Sequence, residues 1–137
     1  MTKNLPKVLL DSNVLISVLI FGGKPEKIYN LILEKQIIPV TSPILIGELT
    51  ETLSKKFNFE LNRIEQFESI IKRHFIIVRP KQTLNILSDI DDNRVLEAAE
   101  EVGCDYIITG DNELLDLATY KNTKIVSAAQ FLNILEV

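Results

Sequence analysis

The chain has 137 residues, of which 46% are hydrophobic and 25% are charged, and this composition predicts one globular domain over residues 1–137 and excludes a disordered chain. The net charge is −4, from 15 basic and 19 acidic residues, which argues against tight, nonspecific binding to duplex DNA because such binding needs a basic face. An enzyme that collects carboxylates to hold a divalent cation remains compatible with this charge.

Two further counts bear on the compartment. The longest apolar run near the start, residues 14–21, is interrupted by Ser17 and is far shorter than the roughly 20 residues that a membrane span needs. A single cysteine, Cys104, excludes an internal disulfide and a cysteine-based zinc site. A cytoplasmic protein without a membrane partner is therefore predicted.

The first half of the chain alternates short apolar runs with segments of helical periodicity. Asp11 ends the first apolar run, residues 7–10, and the capping residues Ser12 and Asn13 follow it, which predicts a strand that turns directly into a helix. Gly22 and Gly23 predict the end of that helix. The next predicted elements are a helix over residues 26–34, a strand over 37–40, a helix from Pro43 to about 57 and a helix over 62–74.

The second half continues this alternation. A strand is predicted over residues 75–78, and a linker over residues 84–92 leads to a helix from Asn93 to a C-cap at Gly103. The remaining predicted elements are a strand over 106–109, a short helix over 114–117, a strand over 125–126 and a last helix capped by Ser127. This alternation predicts a single-domain, three-layer α/β/α fold with a mainly parallel sheet of about five strands.

Four separated acidic residues lie at or near the ends of these elements. Asp11 and Asp111 follow the first and fourth predicted strands, Asp92 opens a predicted helix, and Glu48 lies about two turns into another. Ligands of open parallel sheets bind outside the carboxyl ends of the strands, and carboxylate oxygens are the ligands that Mg²⁺ prefers. The four acids together predict a divalent metal site, although each alone could be a helix cap, a turn residue or a solvated side chain.

Four motifs around these acids resemble, in the same order, the PIN-domain family. They are LLDSNVLIS at residues 9–17, SP at 42–43 leading to EL at 48–49, DDNRVLEAA at 91–99 and DYIITGD at 105–111. The resemblance extends from Val8 to the last helix. It implies a magnesium- or manganese-dependent nuclease that hydrolyses single-stranded RNA and leaves a 5′-phosphate and a 3′-hydroxyl.

The resemblance also assigns roles and partners. The catalytic and metal-binding quartet is Asp11, Glu48, Asp92 and Asp111, and the polar residues that support it are Ser12 or Asn13 and Thr109. Many PIN domains are toxins of prokaryotic toxin–antitoxin modules of the VapC type and commonly form dimers, which implies an antitoxin partner and a homodimer.

Two departures from the family pattern matter. Many toxin members carry Thr-Asn-Asp before the last acid, whereas this chain has Thr109-Gly110-Asp111, which resembles a separate PIN subgroup. Near residue 92 three acids compete for one position. Asp92 is preferred because the apolar helix positions then follow at the spacing of the family, and Asp91 remains the alternative, with Asp89 a further candidate.

Other function classes fit the sequence less well. A receiver-like phosphoacceptor domain needs an acidic pair before the first helix and a lysine that ends the last strand, and both are absent. A haloacid-type phosphatase needs an acid at position 13, which is Asn, and a dinucleotide-binding domain needs a Gly-rich turn after the first strand. A catalytically weak PIN-fold interaction module remains an alternative.

The remaining singled-out residues favour structural roles. His74 and Cys104 are predicted to be structural, and Tyr29, Tyr106 and Phe57 are predicted to pack in the core rather than to stack on bases. Several basic residues could contact phosphates at a rim, although solvated helix faces are the more ordinary explanation; they are Lys24, Lys27, Lys55, Lys56, Arg63, Lys72 and Arg73.

Overall fold

The structure, a computed structural model, describes residues 4–20 and 24–136. Within these ranges, helices pack on both faces of one sheet, and none of the helices is long and apolar enough to cross a membrane. The strands are β1 Lys7–Leu10, β2 Ile38–Thr41, β3 Ile76–Ile77, β4 Tyr106–Ile108, β5 Thr119–Tyr120 and β6 Thr123–Val126. The helices are α1 Ser12–Ile20, α2 Lys24–Leu33, α3 Pro43–Lys55, α4 Leu61–His74, α5 Ile90–Val102, α6 Asn112–Leu117 and α7 Ala128–Leu135.

The sheet confirms the predicted three-layer α/β/α architecture. Its strand order is β3-β2-β1-β4-β6-β5, and all neighbouring strands are parallel except β5, which is antiparallel to β6. The two halves of the sheet therefore diverge between β1 and β4, and a crevice is expected at the carboxyl ends of these two strands. β5 was not predicted, because a two-residue strand is too short to show an alternating pattern.

Alternate residues of the central strand serve two separate cores. Val8 and Leu10 of β1 face one cluster, which is closed by α1, α2, α4, α7 and much of α3. Leu9 faces the opposite cluster, in which α5 and α6 supply most of the helical side chains. From Val8 to Leu10 both faces of β1 are fully buried, so this part of the strand is apolar, and the next charged residue is the one that follows the strand, Asp11.

The helix caps confirm some predicted boundaries and correct one. Ser42 accepts a hydrogen bond from the backbone of α3, Gly103 ends α5 in the left-handed region with φ 65°, and Ser127 forms a capping box with α7. The prediction that Asp92 opens its helix is wrong, because α5 begins at Ile90 and is capped by Asp89, whose side chain accepts from the backbone N–H of Asp91. The predicted stop at Gly22 and Gly23 lies outside the described residues.

Candidate metal centre

Asp11 lies in the crevice between β1 and β4. Its backbone N–H donates to the carbonyl of Ile108 in β4 at 3.1 Å, which places the residue where the two halves of the sheet diverge. One carboxylate oxygen accepts from the Ser12 backbone N–H at 2.7 Å and the other from the Thr109 hydroxyl at 2.7 Å. Burial raises the pKa of Asp11, the Thr109 and Ser12 hydrogen bonds oppose this rise, and the Asp111 carboxylate adds to it.

Thr109 connects Asp11 to Asp111. The Thr109 side chain is only 1% exposed, and its hydroxyl donates to Asp11 while it accepts from the backbone N–H of Asp111 at 3.0 Å. The Asp111 carboxylate in turn caps α6 by accepting from the backbone N–H of Leu114 at 3.0 Å. One buried hydroxyl thus sets the relative position of the two acids that follow β1 and β4.

Asp92 is the third residue of α5 and borders Asp111. Its side chain is 6% exposed, and its pKa is raised to about 8, first by burial and then by the Asp111 carboxylate. The Oδ2 atom of Asp92 is buried and has no hydrogen-bond partner. Buried polar atoms almost always have a partner, so a proton shared with the adjacent Asp111 carboxylate, or a bound cation, would satisfy this oxygen.

Glu48 approaches the same crevice from α3. Its Oε2 atom accepts from the Ser12 hydroxyl at 3.2 Å, whereas its Oε1 atom is buried without a partner. The pKa of Glu48 is raised to about 7, first by burial and then by Asp91, with smaller contributions from Asp11 and Asp89. Glu48 is therefore not a solvated helix residue but part of the acidic crevice.

The two competing acids of α5 border different members of the quartet. Asp92 is buried, and the neighbouring Asp111 carboxylate raises its pKa. Asp91 is exposed, and of the charged residues around Glu48 it raises the Glu48 pKa most. Successive residues of a helix point about 100° apart, because a turn takes 3.6 residues, so both acids of one turn can border the crevice on separate sides. Asn13 is exposed and lines a groove beside Glu48 and Asp91.

The donor set fits a divalent cation held in the manner of magnesium. Within residues 4–20 and 24–136, no group of three or more histidine, cysteine, aspartate or glutamate side chains is arranged so that it could hold a metal ion by itself. Magnesium does not need a complete cage of protein ligands, because it usually keeps several waters and binds one or two carboxylates together with substrate phosphate. The unpartnered oxygens of Glu48 and Asp92 are among the carboxylate oxygens available to such a cation.

Asn93 holds the loop that leads to these acids, and sequence reasoning missed it. The side chain is 1% exposed; its Oδ1 accepts from the backbone N–H groups of Ile86 and Leu87 at 3.0 and 2.8 Å, and its Nδ2 donates to the carbonyls of Leu87 and Asp89 at 2.8 and 3.3 Å. An asparagine at a predicted helix start suggests a cap, and only the fold of the loop back onto α5 reveals this role.

We expect Asn93→Ala to lower the free energy of unfolding by about 2–4 kcal/mol, because it leaves several backbone groups of a partly buried loop without partners. Equilibrium urea unfolding measures the change. Asn62→Ala, at an exposed position of α4, is the matched control and should change stability by less than about 0.5 kcal/mol. Equal values for the two variants would contradict the assigned role of Asn93.

Two residues predicted to be structural have surroundings that agree with this prediction. Cys104 is 2% exposed within the core cluster beneath α5, and burial raises the pKa of its thiol to about 12. His74 is the last residue of α4 and is half-buried. Neither residue contributes to the acidic crevice.

Known proteins match both the sequence and the structure. A family model described as PIN domain matches residues 7–113. The uncharacterized protein MJ1680 of Methanocaldococcus jannaschii is 38% identical over 116 residues, which are 81% of this chain and 74% of that protein.

Two solved structures share the fold. VapBC2 from Rickettsia felis, bound to a DNA fragment from its promoter, aligns with a TM-score of 0.62 and 14% identity over 87% of this chain and 96% of that one. PAE2754 from Pyrobaculum aerophilum aligns with a TM-score of 0.66 and 15% identity over 96% of this chain and 91% of that one. At these identities the likeness concerns the fold alone.

Proposed function

Because the chain belongs to the PIN-domain family, a family of nucleases, we propose that it is a magnesium- or manganese-dependent endoribonuclease that hydrolyses single-stranded RNA. Hydrolysis adds water across the bond between phosphorus and the 3′ oxygen, which leaves a 5′-phosphate and a 3′-hydroxyl. The proposal assigns catalysis and metal binding to Asp11, Glu48, Asp92 and Asp111.

The observation that carries the proposal is that Glu48 Oε1 and Asp92 Oδ2 are buried carboxylate oxygens without partners, and that both acids have Asp11 as a charged neighbour. Leaving a buried charged group unpaired is costly, and such a cost is typical of a site organised for a ligand. The pKa values of Glu48 and Asp92 are also raised, to about 7 and about 8, first by burial and then by a neighbouring acid, which is Asp91 for Glu48 and Asp111 for Asp92.

Each residue has a distinct proposed role. Asp11 and Asp111 would hold the cation, with Thr109 fixing their relative position. Asp92 would be a further ligand or would accept a proton from water, and Glu48 would bind the cation directly or through water while Ser12 orients it. When bound, the cation would supply Lewis acidity and charge stabilisation for phosphodiester hydrolysis. Asp91 is proposed as a support to Glu48.

Purified protein incubated with labelled single-stranded RNA tests the proposal. We expect cleavage with Mn²⁺ or Mg²⁺, none with EDTA, and products that carry 5′-phosphates. Asp111→Asn, prepared in parallel, should be nearly inactive, because it removes one charge from the proposed ligand set while the amide oxygen can still cap α6. Cleavage that persists in EDTA, or equally in Asp111→Asn, would show that a contaminating nuclease is responsible and would reject the assignment.

The same preparation separates the rival functions. A receiver-like phosphoacceptor domain would take up phosphate from acetyl phosphate and leave RNA intact. An interaction module would neither cleave RNA nor respond to metal, although the acidic crevice with its unpartnered oxygens favours the nuclease.

We further propose that the protein is the toxin half of a toxin–antitoxin module, with a cognate antitoxin as partner. The support is the shared fold with VapBC2 together with family membership. A neighbouring gene for a small DNA-binding protein, whose product co-purifies with this chain and inhibits cleavage, is the expected finding. A homodimer and cytoplasmic residence stay predictions, and sedimentation of the purified chain tests the former.

A further inference from the structure

An open groove of about 310 Å³ leads away from the acidic crevice along α3. Ser12, Glu48 and Asp91 line it beside the proposed site, and Lys55 and Lys56 line it further along the helix. Glu48 and Lys55 are seven residues apart on one helix, about 10 Å along its axis at 1.5 Å per residue. The intervening polar residues of the groove, Glu51 and Thr52, lie at the i+3 and i+4 positions from Glu48 and so share its face.

The charge along this groove changes from negative to positive. A chain with a net charge of −4 and a cluster of carboxylates repels a polyanion. Exposed charges are screened beyond a Debye length of about 8 Å at physiological salt, so cations offset that repulsion locally, where the RNA backbone passes them along the groove. Lys55 and Lys56 are the cations that share a cavity with Glu48 and Asp91.

The lysines are available to a new partner. Lys55 pairs with Glu51 at 2.9 Å, but the two side chains are 73% and 64% exposed, and an exposed ion pair of this kind contributes little to stability. A phosphate can therefore displace Glu51 at little cost. Lys55 is the last residue of α3 and Lys56 is its C-cap, so both also interact favourably with the negative end of the helix dipole. The experiment below distinguishes this stabilising role from RNA binding.

The turn that follows α3 adds aromatic surface. Phe57 is 39% exposed, so its predicted core position is wrong, and its ring lies 6.0 Å from that of Phe59. The Arg63 guanidinium stacks on the other aromatic ring of this pair, 3.9 Å from the Phe59 centroid. These three residues line a cavity that is separate from the groove and begins at the residue after Lys56; proteins that bind single-stranded nucleic acid combine basic grooves with aromatic side chains.

We propose that this groove seats the single-stranded RNA next to the scissile bond, with Lys55 and Lys56 contacting backbone phosphates. This inference rests on the proposed nuclease function and adds the path of the substrate. It requires that RNA long enough to reach the lysines is cleaved more efficiently than a dinucleotide.

The test compares wild type with Lys55→Ala/Lys56→Ala on an unstructured RNA of about 12 nucleotides and on a dinucleotide. The double variant should lose roughly tenfold or more in kcat/KM on the long RNA, mostly through KM, and the loss should be much smaller on the dinucleotide. The slope of log kcat/KM against log salt should fall by about 0.7 for each lost phosphate contact. Lys72→Ala/Arg73→Ala, an exposed adjacent pair on α4, removes the same charge and is the matched control.

Equal losses on both substrates, or an equal loss in the α4 control, would overturn the proposed path while the nuclease function stands. A loss of stability in Lys55→Ala/Lys56→Ala that accounts for its lower activity would reduce the lysines to their helix-terminal role and would also overturn the path. Fluorescence anisotropy with the same labelled RNA separates the remaining case. Binding without cleavage that disappears in the double variant would uphold the path and reject the nuclease.

Discussion

Asp11→Asn should lower RNA cleavage by about a thousandfold or more, a loss on the order of 4 kcal/mol of transition-state stabilisation. The substitution keeps the size of the side chain and removes the charge at the centre of the crevice. It also removes an acceptor: both Asp11 oxygens accept hydrogen bonds, from Ser12 and Thr109, whereas an amide offers one carbonyl oxygen and one donor group. Single-turnover cleavage with saturating Mn²⁺ measures the effect.

The control for this experiment is Asp116→Asn, an equivalent change at an exposed position of α6, which should cleave like wild type. Thr109→Val provides a graded comparison, because it keeps the charge of Asp11 and removes only the hydroxyl that orients it. Loss of such an orienting partner typically costs about tenfold to a hundredfold. If Asp11→Asn folds normally and retains more activity than Thr109→Val, the central role of the Asp11 charge is refuted.

Asp92→Asn should abolish most cleavage and yet stabilise the metal-free protein at pH 8, because the neutral amide removes the cost of ionising a buried carboxylate beside Asp111. The pKa of Asp92 is about 8 in the folded protein, against an ordinary value of 3.8. Between these values the folded protein binds a proton that the unfolded chain has released, so stability falls as the pH rises through this window. The pKa of Glu48, raised from 4.5 to about 7, acts in the same direction.

Urea unfolding in EDTA between about pH 5 and pH 8 tests this prediction. Wild type should lose stability with rising pH, and Asp92→Asn should show a smaller loss, because an amide stays neutral and can donate to the Asp111 carboxylate. Adding Mn²⁺ should stabilise wild type more than the variant, since a ligand that binds only the folded state stabilises it. If the free energy of unfolding of Asp92→Asn depends on pH as strongly as that of wild type, the raised pKa assigned to Asp92 is refuted.

The sequence predicted the parts of the site that local signals define. Apolar runs and caps located the carboxyl ends of β1 and β4, and these ends carry Asp11 and Asp111 in the structure. The same signals predicted three layers and a mainly parallel sheet, because strands that alternate with helices leave few other arrangements. The start of α5 was misplaced, since three clustered acids are all plausible caps and only Asp89 makes the capping hydrogen bond.

Only the tertiary structure decided which acidic and polar side chains of the site lie next to one another. The sequence left Asp91 and Asp92 as alternatives for one position. In the structure Asp92 has Asp111 as its main charged neighbour, and Asp91 is the main charged neighbour of Glu48. Nor could the sequence reveal that Asn93 anchors the loop before α5 or that Thr109 links Asp11 to Asp111. Periodicity determines which face of a helix is apolar. Which polar side chains at the end of that helix meet a given neighbour depends on packing between elements that are distant in the chain.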